Sequence, residues 1–431
     1  MVKYLVCFIF VTPSTFWYNT TMETTLYKLI IAILIFDYIL ERTLDWLNAS
    51  RMGQAIPAVL EGLYDQQKYD KQQLYQKTNT RFSLITSTFS LVVLLAFLSL
   101  TGFARLHHFS AGVTDNVLLQ PLIFFGLLMF AQDLISLPFQ LYQTFVIEER
   151  FGFNKVTPKL FVMDKIKGWL LMAVLGGGVL FLITWFYYRT TDQFWLYAWG
   201  LMGGISLFFV MFYSNLIVPL FNKQTELEDG ELKTAIETFA GKVDFSVKDI
   251  FVLDGSKRST KANAYFTGLG SKKRIVLFDT LINDLSTEEV VAVLAHEIGH
   301  YKKKHTLQGV VISLLQMGVM FYLLSLFLGQ AVFSQALGAE TAVFHIGLVA
   351  FGMLYSPVSL LTGLLMNHWS RKNEYQADYF ACTHYDGVSL ANALKKLSVN
   401  HLSNLTPHPA YIFFYYSHPS LHQRLVAMAK S

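Results

Sequence analysis

Seven apolar stretches, each long enough to cross a bilayer, restrict the folds open to this chain more than any other feature. They fall at 24–45, 83–103, 116–138, 168–188, 195–220, 306–332 and 342–367. A helix needs about 20 apolar residues to cross a hydrocarbon core about 30 Å thick. Inside that core only helices and closed barrels satisfy their own backbone, and runs this long and unbroken read as helices. Composition agrees: 53% of the 431 residues are hydrophobic, 15% are aromatic, and mean hydropathy is +0.40. Soluble domains are rarely so apolar. The expectation is a mainly α, polytopic membrane protein with about seven transmembrane helices.

Charge placement orients those spans. The segments 46–82, 139–167, 221–305 and the tail after 368 hold nearly all the Lys and Arg, whereas 104–115, 189–194 and 333–341 hold only Arg105 and Arg189. Basic loops stay in the cytoplasm, which puts the N-terminus outside and both 221–305 and the tail inside. Asp37 and Asp133 fall within spans, where carboxylates face protein or a wet cavity rather than lipid. The net charge of +4 suits basic cytoplasmic loops and implies no nucleic-acid partner; the bilayer itself is the expected one. Cys7 and Cys382 define no disulfide framework. Lys3 followed by Tyr4–Val11 resembles a weak signal-peptide core, and Met22 is an alternative start that leaves the rest intact.

Chemistry enters at His296-Glu297-Ile298-Gly299-His300, an H-E-x-x-H pattern. A chance match in a chain of this composition would arise roughly one time in a hundred. Ser286 and Glu289 form a capping-box signature that starts a helix. On that helix His296 and His300 share a face and can hold one metal ion, while Glu297 reaches a metal-bound water as a base. Lys303 and Thr306 stand where a metzincin needs Gly and His, so that class is excluded. His305, five residues after His300, falls off the ligand face and reads as solvated or interfacial.

A third ligand is expected from a second helix, Asn373–Cys382. Glu374 is the expected ligand, and Asp378, on the same face, would accept the second ring N–H of a ligand histidine, His296 being preferred. Both halves of this site then emerge on the cytoplasmic side. The segment 221–305 reads as a small α/β insert, with helix Leu227–Val243 and strands Asp249–Leu253, Ala262–Thr267 and Arg274–Asp279. The last two strands are joined by a turn at Gly268–Lys273. Asn263, Ala264 and Tyr265 read as an edge strand to which an extended peptide could add. Pro419 suits a first helical position, leaving His418 at the helix entrance to stabilise an oxyanion, with Arg424 about one turn on.

Together these residues resemble the integral-membrane CAAX prenyl protease family, seven-span zinc metalloendopeptidases of the a-factor-converting type. The most specific parts are Ala295–His300, Asn373–Ala381, Ser259–Thr280 and Ser417–Leu425, with Tyr142–Lys159 similar to a cytoplasmic loop of the family. The resemblance implies seven helices enclosing a chamber, with a zincin-like α/β catalytic domain built from 221–305 and 368–431. It divides the chain into a membrane half, 1–220, and a peptidase half, 221–431. It implies one Zn2+ per chain on His296, His300 and Glu374, Glu297 as base, Asn263 near the substrate backbone, and His418 and Arg424 lining the site. Eukaryotic members remove the last three residues of farnesylated C-termini, so a peptide or protein substrate with a prenylated C-terminus is expected. The compact insert and the lack of a C-terminal retrieval signal are similar to bacterial members, which suggests a bacterial inner membrane, or the ER membrane for a eukaryotic chain. A membrane quality-control zinc protease and a metal or solute transporter are the alternative readings.

Overall fold

The computed structural model describes residues 22–62, 65–245, 249–267 and 274–430. The signal-like segment and the Gly268–Lys273 turn lie outside the described residues. Helix α1 is Met22–Ala49 and α2 is Gln66–Ser99. Asp65 caps α2, its carboxylate accepting from the Lys68 amide at 2.7 Å. The chain reverses at Thr101, with φ of 51°, into α3, Gly102–Val113. A side chain at Gly102 would collide with the Phe97 ring, so glycine allows this tight return. The expected span to 103 therefore ends sooner, and the expected loop 104–115 is largely helical. Next come α4, Gln120–Phe151; α5, 158–190; and α6, Phe194–Leu216.

The insert follows. Strand β1 is Gln224–Glu226, α7 Glu231–Lys242, β2 Asp249–Leu253, β3 Ala264–Thr267 and β4 Arg274–Phe278. The sheet order is β1-β2-β4-β3, with β2 and β4 parallel and both outer pairs antiparallel. Strand β1 was not anticipated, and α7 starts later than expected because Leu227 still pairs with β2, its amide donating to the Ile250 carbonyl. After the short α8, Asp279–Asp284, comes α9, Thr287–Lys302. Ser286 and Glu289 close a reciprocal capping box at its start. The buried face of α9 carries Val290, Val291, Leu294, Ala295 and Ile298, which pack on Leu277 of β4 and Phe239 of α7. Each buried Val, Leu or Ile side chain there contributes about 1.5–3 kcal/mol, so the helix bearing the H-E-x-x-H pattern is fixed by its core.

The chain then re-enters the apolar region through α10, His305–Phe327, passes α11, Ala331–Ala336, and returns along α12, Phe344–His384. Helices α13, Gly387–Asn400, α14, Pro409–Tyr415, and α15, Leu421–Met428, complete it. Among the described residues five helices are long and apolar enough to cross a membrane: α2, α4, the 158–221 stretch, α10 and α12. The 158–221 stretch contains two of the expected spans, separated at Thr191–Gln193. Helix α1 carries Asp37, Glu41, Arg42 and Asp45 and is not among the five; Asp37 accepts a hydrogen bond from Ser356 of α12.

Candidate metal centre

Helices α9 and α12 cross at the site, and small residues set how closely. A Cβ on Gly299 would sit 3.2 Å from the Ala377 backbone and 3.1 Å from the Phe380 Cβ. Ala377 and Ala381 are fully buried. The second ligand helix was expected as a separate element; it is instead the continuation of the last apolar helix, 41 residues without a break. No glycine or proline lies between 364 and 384 to stop it.

His296, His300 and Glu374 bring their ligand atoms within 4.8 Å of one another. The two Nε2 atoms are 3.1 Å apart. His296 Nε2 lies 3.5 Å from Glu374 Oε2, and His300 Nε2 lies 3.2 Å from Glu374 Oε1. Ligand atoms on a tetrahedral ion with bonds of about 2.0–2.1 Å stand about 3.3–3.4 Å apart, so the three fit zinc. Two further observations agree. Glu374 Oε2 is buried without a hydrogen-bond partner, which is costly unless a cation meets it. Burial alone would lower the His296 pKa, but the Asp378 and Glu374 carboxylates outweigh burial and lift it to about 9. The pocket stabilises positive charge.

Each histidine is oriented from behind. His296 Nδ1 is 2.9 Å from Asp378 Oδ1. Asp378 is gripped in turn by Arg424, whose Nη2 and Nε donate to its two oxygens at 2.5 and 2.9 Å. Burial works against the Arg424 charge, yet the Asp378 carboxylate more than offsets this and holds its pKa above the usual value. His300 Nδ1 is 3.1 Å from His305 Nδ1, and His305 Nε2 is 3.0 Å from Gln376 Oε1. With His300 ligating through Nε2, its Nδ1–H donates to His305, whose Nε2–H then donates to Gln376.

His305 therefore differs from its expectation as a solvated or interfacial residue: it is buried and touches a ligand. Counting along one helix places it off the face. Lys304, with φ of 59°, breaks the helix, and His305 starts α10 turned back toward His300. Sequence reasoning missed Gln376 as well. Arg424, expected to line the site, is buried against Asp378 and brings its Nη1 to 3.7 Å from Glu374 Oε2. Ser420, not Pro419, controls the last helix: it caps α15 in a capping box with Gln423, a pattern readable at three-residue spacing. His418 is exposed, with Nε2 3.3 Å from Glu374 Oε1. Glu297 follows His296 on α9 and is partly exposed. Asn263 is exposed just ahead of β3; its carbonyl accepts from the Phe278 amide, and Ala264 and Tyr265 lie on the sheet's outer strand.

Long apolar helices joined to a small mixed sheet, with an H-E-x-x-H helix and a distant glutamate, define a polytopic membrane zinc metallopeptidase. Residues 45–223 match the CAAX prenyl protease N-terminal family, described by five membrane helices, and residues 226–431 match peptidase family M48. CAAX prenyl protease 1 of Saccharomyces cerevisiae is 35% identical over 430 residues, covering 93% of this chain and 95% of that protein. The human CAAX prenyl protease 1 homolog is 32% identical, covering 86% of this chain and 88% of the relative. The crystal structure of S. mikatae Ste24p superposes with a TM-score of 0.89 at 34% identity, covering 94% of this chain and 99% of that one. The chain belongs to the CAAX prenyl protease 1 family of M48 zinc metalloendopeptidases. These relatives are eukaryotic, so the expectation of a bacterial member is not supported.

Proposed function

We propose that the chain hydrolyses peptide bonds near prenylated C-termini of proteins, at the cytoplasmic face of an ER-type membrane. The observation that carries the hydrolysis is the convergence of two imidazoles and a buried carboxylate, one oxygen of which lacks a hydrogen bond, beside Glu297. Similarity to CAAX prenyl protease 1 along both halves supports the substrate class, and the eukaryotic relatives support the ER. The family segments 45–223 and 226–431 support a membrane half, 1–220, and a peptidase half, 221–431. The apolar spans bury few of their residues against one another, which supports helices standing around an open chamber.

His296, His300 and Glu374 would hold one zinc ion, which supplies Lewis acidity and lowers the pKa of water toward about 7. Glu297 takes the proton of the attacking water and returns it to the leaving amine. His418, on the open side of Glu374, donates to the developing oxyanion. Asn263, Ala264 and Tyr265 offer the edge to which the substrate backbone adds. Asp378 sets the His296 tautomer, and Arg424 acts through Asp378 as a positioning residue. Glu297→Gln should lower kcat by about 10²–10⁴-fold with zinc content unchanged. The assay is cleavage of a farnesylated peptide by the purified protein, beside its unmodified twin. Surviving turnover would remove Glu297 from its role, and equal cleavage of both peptides would remove the prenyl preference.

A further inference from the structure

The approach to the outer strand β3 is held from outside the sheet. Three residues of the loop after α4 meet the segment that precedes β3. Asn154 bridges Ser259. The Lys155 amide donates to the Arg258 carbonyl at 3.0 Å, and the Thr260 amide to the Phe153 carbonyl at 3.2 Å. Arg258 is also bidentate to Asp164 of α5, at 2.9 and 3.0 Å. Lys261, directly after Thr260, also reaches the membrane half. Its ammonium lies 3.1 Å from Glu148 Oε2, 3.1 Å from the Tyr75 hydroxyl and 4.3 Å from the Phe153 ring centroid. Tyr75 donates to Glu148 Oε1 at 2.7 Å. Immediately afterwards, the Ala262 amide donates to His401 Nε2 at 2.9 Å. Burial, with the Lys261 charge nearby, holds the His401 pKa below its usual value, in the neutral form that accepts.

Two features set this cluster apart from an ordinary surface ion pair. The strand itself does not need it, since β3 is already paired along its length with β4. Moreover, α4 widens into π-helical turns at Gln143–Glu148, ending on the residue that meets Lys261. Such wide turns are rare and gather at functional positions. Here the wide turn brings Glu148 and Gln143 to one cluster, with Gln143 Nε2 3.1 Å from Glu148 Oε1 and 3.1 Å from Asn79 Oδ1 of α2. The chain just ahead of Asn263 is thus tied to two membrane helices.

We propose that Lys261, with Glu148 and Tyr75, is a clasp that sets the position of the substrate-pairing edge from the membrane half. The proposal rests on the reading of Asn263, Ala264 and Tyr265 as that edge. Lys261 and Glu148 are positioning residues that touch no reacting atom. Their contribution reaches the substrate through the backbone register of β3, so its loss weakens substrate pairing more than the chemical step. The ion pair is partly exposed, and exposed pairs contribute little to stability; breaking it should therefore leave the fold standing.

The test compares Lys261→Glu, Glu148→Lys, the double swap and Lys261→Arg in the full-length, detergent-purified protein. The substrate is a farnesylated CAAX peptide; kcat, KM, zinc content and Tm are measured together. Each single reversal should raise KM about tenfold while kcat falls less than about threefold, with zinc unchanged. The double swap should bring KM back within about threefold of wild type, since the pair is restored with its sign exchanged. Lys261→Arg should keep KM near wild type. Wild-type KM in the single reversals, a double swap no better than the worse single, or a KM rise that merely tracks lost zinc or Tm would each overturn the clasp. A wild-type protein that cleaves nothing would overturn the functional reading together with it.

Discussion

The two ligand histidines sit four residues apart on one helix and are held in opposite ways. His296 leans on a buried ion pair: Asp378, 1% exposed, is clamped by Arg424, 9% exposed. His300 leans on a neutral relay, His305 and then Gln376. A carboxylate behind an imidazole makes the ligand nitrogen more basic and fixes the tautomer, whereas a neutral acceptor fixes the tautomer alone. The difference follows from position. The His296 side faces α12 and α15 deep in the fold, where a carboxylate survives only with a cation against it. The His300 side faces the start of α10, at the membrane junction, where an uncharged relay avoids that demand.

The largest effect should come from breaking the charged branch. Asp378→Ala would leave the Arg424 guanidinium buried without its hydrogen-bonded carboxylate, with only Glu374 Oε2 at 3.7 Å from its Nη1, a loss of about 3–5 kcal/mol. It would also free the His296 ring and weaken zinc binding about 10–100-fold. Thermal unfolding and metal competition against a chelator measure the two separately. Should Asp378→Ala melt no lower than a variant of the neutral branch, the charged branch is no more structural than the other.

The neutral branch should respond less. His305→Ala removes one hydrogen bond to His300 and leaves Gln376 to water, costing about 1–3 kcal/mol. Zinc affinity should fall about tenfold, the lower end for removal of an outer partner. His305→Gln keeps an acceptor near His300 Nδ1 and should lie between wild type and alanine. A loss in His305→Ala as large as in Asp378→Ala would erase the contrast between the branches.

What could be read from the sequence was local. Ser286 and Glu289, three residues apart, specify a capping box; His296 and His300, four apart, specify a face; Glu374 and Asp378 do the same on α12. These relations survive folding because a helix imposes them. The supports from behind are long-range. Arg424 meets Asp378 across 46 residues and Lys261 meets Glu148 across 113, and no periodicity relates them. His305 was hidden differently: a left-handed Lys304 breaks the helical count that placed it off the face. The last span was expected over 342–367, yet the helix that carries it does not end there. Nothing in 364–384 interrupts the helix, so α12 carries its backbone order out of the apolar region to Glu374 and Asp378.

The smallest expected effect probes the contrast most directly. Gln376→Glu would place a carboxylate at the end of the relay and make the neutral branch resemble the charged one. Accepting from His305 Nε2–H, it would make His305 Nδ1 a stronger acceptor, polarise His300 Nδ1–H and enrich the ligating Nε2. Zinc affinity should rise about threefold, less than Asp378 contributes because the charge acts through an intervening ring. A new negative charge also attracts a cation through space, whatever lies between. The two causes separate in the His305→Ala background, which removes the relay and leaves the charge. If the gain vanishes there, the relay carries it. If the gain persists, His300 responds to the field alone and the two branches differ in charge, with no difference in how they hold a ring.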